Sequence, residues 1–136
     1  MFARWLSSRV EESYALMRAL LGLMWAFHGF QKLFGFLSDF QPPPFSQLWV
    51  GAVIEVVAGP LIAIGLLTRA AAFLASGTMA VAYVQFHWKL DLGRKFFPDL
   101  NEGELSLVYA LVFLFIACQG AGRYSFDALR GRAHSR

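Results

Sequence analysis

Residues 24–36 read M-W-A-F-H-G-F-Q-K-L-F-G-F, an apolar run holding His28, Gln31 and Lys32 within five positions. Their i, i+3, i+4 spacing places all three on one helix face. A second apolar run carries Glu55, a third ends near Tyr83, Gln85 and His87, and a fourth opens at Glu104. These are the residue types of proton chemistry. An imidazole beside a carboxylate can exchange protons with a quinone or ligate a metal. Lys32 can orient Glu55, or steady a reduced quinone or another anion. The assignment from type and spacing is therefore His28, Lys32 and Glu55 as proton-handling groups, with Gln31, Tyr83, His87 and Glu104 around a pocket. The same residues admit a purely structural account, in which Lys32 and Glu55 form a buried ion pair that staples two helices. For Glu104, a helix-capping role is the simpler account. For His87, it is exposure at an interface.

These residues sit in four long apolar segments, Tyr14–Phe36, Trp49–Leu67, Ala70–Trp88 and Glu104–Ala121. Each is close to the ~20 residues that cross ~30 Å of hydrocarbon. Pro42-Pro43-Pro44 closes the first segment, Thr68-Arg69 makes a polar turn, and Lys89–Gly103 separates the third segment from the fourth. Asn101-Glu102-Gly103-Glu104 has the form of an N-cap followed by a glutamate. The chain is 57% hydrophobic and only 15% charged, where a soluble domain carries roughly a quarter charged residues. A bilayer is the better solvent for such a surface, and its lipid the first partner. A net charge of +3 with basic residues gathered near the ends argues against nucleic acid.

Short connections predict an all-α, transmembrane, up-down four-helix bundle over 1–136, a single membrane domain with both termini on one side. Arg4, Arg9, Arg18, Arg69, Arg123, Arg130, Arg132 and Arg136 then share that side, against Lys32, Lys89, Arg94 and Lys95 opposite. Eight against four places the termini in the cytoplasm. Residues 2–12 read as a short interfacial helix, and Tyr124–Leu129 as a segment docking in the same interface. Gly51, Ala52, Glu55, Ala58 and Gly59 make a small-residue face that should point inward. Ser76, Ala80, Tyr83 and His87 make another, and Pro60 should kink the second helix.

Counting from the far surface, Lys32 lies about 6 Å deep, His28 about 12 Å and Glu55 about 9 Å, so the polar residues converge in the outer half. Haem between His28 and His87 is disfavoured by a depth mismatch of about 10 Å. The lone Cys118 forms no internal disulfide and reads as packing. No HExxH, nucleophile elbow, phosphate loop or metal-spaced Cys/His set is present, so no metal site is assigned.

The motifs taken in order resemble those of the DoxX family. They are Arg18-x-x-x-Gly22, His28-Gly29-x-x-Lys32-Leu33, Gly51-x-x-x-Glu55, Gly65-Leu66-Leu67-Thr68-Arg69, Asn101-x-Gly103-Glu104 and Gly120-Ala121-Gly122-Arg123-Tyr124-Ser125-x-Asp127. The resemblance spans about Arg18 to Leu129, with Gly-Ala-Gly standing where the family commonly has Gly-Pro-Gly. It implies a four-helix, multi-pass bacterial inner-membrane protein. Relatives include subunits of thiosulfate:quinone oxidoreductase, and others are linked to oxidative or thiol stress. The leading expectation is a subunit of a quinone-linked redox system, dependent on a membrane or cytoplasmic redox partner and not catalytic alone. The competing expectations are a non-enzymatic scaffold recruiting a soluble partner, and a small-molecule or ion carrier whose pathway comes from a homo-oligomer.

Overall fold

A computed structural model describes residues 1–134. Arg136, counted above among the basic residues, lies outside them, as does the side chain of Arg132. Among the described residues the chain forms six α-helices and no strand: α1 Phe2–Ser7, α2 Val10–Phe34, α3 Gln47–Ile64, α4 Thr68–Ala82, α5 Glu104–Gln119 and α6 Phe126–His134. A π-helical turn, Tyr83–Trp88, continues α4, and a 3₁₀ turn, Arg94–Phe96, lies in the following loop. Helix α2 packs most extensively on α3 and α4 on α5, while α3 and α4 meet along a thinner seam.

The third segment closes at Trp88 and the fourth opens at Glu104, as expected; the other boundaries differ from the sequence reading for local reasons. The interfacial helix expected over 2–12 breaks after Ser7, and its last residues join α2 at Val10. Helix α2 stops at Phe34 because Gly35 turns left-handed, φ 66°. Helix α3 begins earlier than expected, where Ser46 accepts from the Trp49 amide, and runs unbroken through Pro60. Its end is a Schellman turn, in which Leu66 N–H bonds Leu61 C=O and Gly65 N–H bonds Ile62 C=O. Gly65 sits at φ 76°, and a Cβ there would also strike Ser125 and Arg18. Thr68 therefore starts α4 rather than ending a turn. Helix α5 starts at Glu104, and its N-cap residue is Gly103 with no side-chain cap, so the cap expected from Asn101 and Glu104 does not form.

Large side chains lie outside and small ones inside. Leu20, Phe27, Phe73, Leu111 and Phe115 are exposed, while alanines at 52, 58, 72 and 75 are buried around Trp25, Ile62, Phe113 and Ile116. Water would penalise that arrangement, and lipid would not. Ala80, expected on an inward face, is exposed; the buried line of α4 is Ala72, Ala75, Ser76 and then Tyr83. By length and composition α3 is the one described helix able to cross a membrane unaided, with α5 apolar but shorter.

Opposite the Lys32 end, charged side chains close the helix termini. Arg18, 2% exposed, donates to the carbonyls of Ile62 and Ala63 at the end of α3 and to Tyr124 C=O. Arg69 donates to the carbonyls of Ala117, Cys118 and Gln119 at the end of α5. Asp127 accepts from Leu67 N–H, Thr68 N–H and the Thr68 hydroxyl, capping α4 from α6. The orphan carbonyls and amides that every helix terminus leaves are thus satisfied across elements.

Candidate functional site

The site begins with the crossing of α2 and α3. A Cβ on Gly22 would lie 2.6 Å from Gly59 O, and one on Gly29 would lie 2.7 Å from Ala52 O. Backbones approach this closely only because glycine occupies both positions. The approach sets Lys32, one turn beyond Gly29, against Glu55. Lys32 Nζ donates to Glu55 Oε1 at 2.6 Å. Glu55 is 4% exposed, and its second oxygen, Oε2, is buried with no hydrogen-bond partner. A buried carboxylate oxygen is costly to leave unpaired, which makes Oε2 the chemically unfinished atom of the site.

The facing wall comes from the π-helical turn and the start of α5. Lys89 N–H reaches back five residues to Val84 C=O, the mark of the extra residue that a π turn holds. His87 follows within it. Its Nδ1 lies 3.2 Å from Asn101 O and its Nε2 lies 3.3 Å from Ser106 Oγ. A carbonyl only accepts, so Nδ1 carries the proton; in the neutral ring Nε2 then accepts from the Ser106 hydroxyl. Asn101 supports this arrangement, donating to Lys95 O at 2.8 Å and Tyr83 Oη at 3.3 Å while accepting from Gly103 N–H. Gly103 lets the loop lie flat on these residues, since a Cβ there would be 2.6 Å from His87 Cβ.

Two cavities meet at the ion pair. The larger, about 480 Å³, lies in the α3–α4 seam, with Ile54, Met79, Val81 and Phe86 among its apolar walls. The smaller, about 170 Å³, lies behind it against Trp25, His28 and Tyr109. Lys32, Glu55, Met79 and Ser106 border both. The larger falls within the range of small-molecule sites and has their character, mostly apolar with a few convergent polar groups. Gln47 of α3 and Gln85 of the π turn hydrogen-bond to each other across the seam.

The seven residues singled out by sequence are placed unequally. Lys32 and Glu55 are bonded, and His87 borders the larger cavity across from them. His28 is exposed at the edge of the smaller cavity and makes no direct bond to Glu55. Tyr83 is buried but turned to Asn101 rather than to the cavity. Gln31 is half-buried outside both cavities. Glu104 is exposed and borders a separate depression with Pro98, Asp99 and Glu102. At the first position of α5 its side chain projects away from the face that carries Ser106.

Two polar residues of the site, Ser106 and Asn101, were not singled out for it. The signal for Ser106 was readable: Gly103, Ser106, Ala110 and Phe113 recur on one face of α5. Among the described residues no three His, Cys, Asp or Glu side chains converge as metal ligands. Both nitrogens of His87 are engaged, so neither is offered to a haem iron.

The DoxX family model matches residues 13–88. A protein of Haemophilus influenzae called "Uncharacterized protein" is 38% identical over 117 residues, covering 83% of this chain and 87% of its own. No solved structure matches the chain.

Proposed function

The chain belongs to the DoxX family of membrane proteins, and from that premise we propose that it is a multi-pass subunit of a quinone-linked redox system. Helices α2 to α5 cross the bacterial inner membrane as an up-down four-helix bundle with both termini cytoplasmic. Supporting this, α2 has 25 residues, about 37 Å of rise, and α4 with its π turn runs continuously over 68–88. Helix α5, at 16 residues, rises about 24 Å and is finished by the Arg69 guanidinium. The arginine-rich end faces the cytoplasm by the positive-inside rule.

A single observation carries the functional part: a buried, unpartnered carboxylate oxygen beside an ammonium, on a residue that borders a cavity of ring-binding size. Lys32 orients Glu55. Glu55 and the His87–Ser106 pair hold the protons that a quinone takes up or a quinol releases, with His28 at the rim. Electrons pass to or from a partner protein, since the chain carries no thiol pair of its own.

The test is mild purification with native lipid, followed by mass spectrometry and absorption spectroscopy. Quinol, recovered as the quinone it oxidises to in air, should copurify with the wild type, and a Lys32→Met/Glu55→Gln double variant, charge-balanced and folded, should lose it together with quinone-linked turnover in cells. A double variant that retains both refutes the reading. The scaffold reading draws on α1, whose Phe2, Trp5 and Leu6 are exposed with nothing of α1 buried. Deleting residues 2–10 would then abolish capture of a soluble partner while leaving quinone content unchanged.

A further inference from the structure

The polar groups around the larger cavity are unevenly divided between donors and acceptors. Glu55 borders the cavity, and its buried Oε2 is an acceptor with nothing donated to it. Ser106 Oγ has committed its proton to His87 Nε2 in the neutral ring and offers only lone pairs. The Thr78 hydroxyl donates to Leu74 C=O at 2.9 Å, so it too offers lone pairs alone. Gln47 and Gln85 engage each other. Gln47 Nε2 keeps a second N–H about two turns along α3 from Glu55, and the donor beside Glu55 is the Lys32 ammonium, with N–H bonds left after serving Oε1.

Each class of head group meets these atoms differently. An anion such as a carboxylate or phosphate would set like charge against Glu55. A cation would meet Lys32. An acceptor-only group, such as a ketone or an ether, can take a bond from Lys32 but leaves Oε2 buried and unpaired. A neutral hydroxyl satisfies both, its proton given to Oε2 and its oxygen accepting from Lys32. Ile54, Met79, Val81 and Phe86 offer apolar walls for the rest of the molecule. Gly51 and Gly77, which also border the cavity, have nothing within 4 Å of where a Cβ would stand, so they keep the seam open.

From this arrangement we infer that the cavity binds a neutral amphiphile with a hydroxyl head, entering from the bilayer through the α3–α4 seam. A phenol or a hydroquinone belongs to this class and a quinone does not. The inference rests on the cavity being a ligand site, as proposed above, and adds that the site recognises a hydrogen-bond donor.

The experiment is calorimetric titration of the protein in nanodiscs, corrected with empty discs. The probes are para-hexylphenol and its methyl ether, alike in shape but for the lost donor and the added methyl. A hydrogen bond to a charged group makes the phenol bind about tenfold tighter or more. Glu55→Leu, made together with Lys32→Met so that no charge is stranded, removes the acceptor and brings that ratio to about one. Gly51→Leu and Gly77→Leu fill the seam without touching a polar atom, and each abolishes binding of both probes. Equal affinities in the wild type overturn the donor preference while leaving the ligand site standing. Absence of binding by either probe overturns both. Binding unaffected by the two leucines overturns the location.

Discussion

Replacing Gly22 by alanine should destabilise the protein, while the same replacement at Gly51 should not. Both glycines lie in long helices, so intrinsic helix preference favours alanine at each by about 0.8–1 kcal/mol. Their surroundings separate them. At Gly22 the new methyl would sit 2.6 Å from Gly59 O, 2.7 Å from Ala63 N and 3.0 Å from Ala63 Cα. Ordinary carbon contacts lie at about 3.5–4.0 Å, so α2 and α3 must part by the better part of an ångström. All three atoms are backbone, and none can swing aside. Arg18 ties the same stretch of α3 to α2 through the carbonyls of Ile62 and Ala63, so the parting also lengthens those bonds. Overpacking of this kind costs about 1–3 kcal/mol, and the unyielding neighbours place Gly22→Ala at the upper end. The net loss is about 2 kcal/mol after the helix gain, whereas Gly51→Ala, with open space around the methyl, is neutral or gains up to about 1 kcal/mol. Unfolding in mixed micelles of detergent and denaturing detergent, followed by helical circular dichroism, measures both. A Gly22→Ala protein as stable as the wild type would refute the close crossing on which the Lys32–Glu55 contact depends.

Two further predictions concern the opposite end. Arg18→Met should cost about 3 kcal/mol in the same unfolding assay, because it strips donors from three carbonyls in a buried setting. Arg69→Met should cost under about 1 kcal/mol, since the carbonyls it serves are near solvent; equal losses at the two sites would contradict the contrast in burial. At Asp127, burial works to raise the carboxyl, but donation from Thr68 and Leu67 outweighs it and, with Arg130, holds the group below its ordinary value. A depressed value means stability that is present above an unfolded value of about 3.9 and lost as pH falls through the folded one. Asp127→Asn should therefore be less stable than the wild type at neutral pH, with the gap closing as pH drops below about 4. A gap independent of pH would show that the charge plays no part.

The features legible in the sequence were those that follow from counting along helices. The i, i+4 placement of His28 and Lys32, and the matched depths of Lys32 and Glu55, needed only the rise per residue, and Lys32 and Glu55 are indeed in contact. The apolar segments were legible too, though their ends moved by two to four residues wherever a left-handed glycine or a long-range cap determined them, as at Gly65 and Thr68. What spacing does not contain is the path of a loop. Asn101 reaches Lys95, Tyr83 and His87 because residues 89–103 fold back on the π turn, and no periodicity encodes that. Arg18 and Arg69 entered the sequence reading only as charges that orient a membrane protein. Their guanidinium forks grip carbonyls more than forty residues away in the chain, a use that composition cannot separate from the first.

The corner at Gly65–Thr68, clamped by Asp127, joins the α2–α3 pair to the α4–α5 pair by a connection too short to stretch. The cavity lies toward the other end of the same seam. Geometrically this is a lever, with its fulcrum at the corner and an arm running along α3 to Gln47, about 27 Å. A turn of only about 5° at the fulcrum moves the tip by about 2 Å at that arm length, enough to part Gln47 from Gln85 and admit a flat ring. Residues that border no part of the cavity therefore hold the corner from which α3 and α4 run toward it.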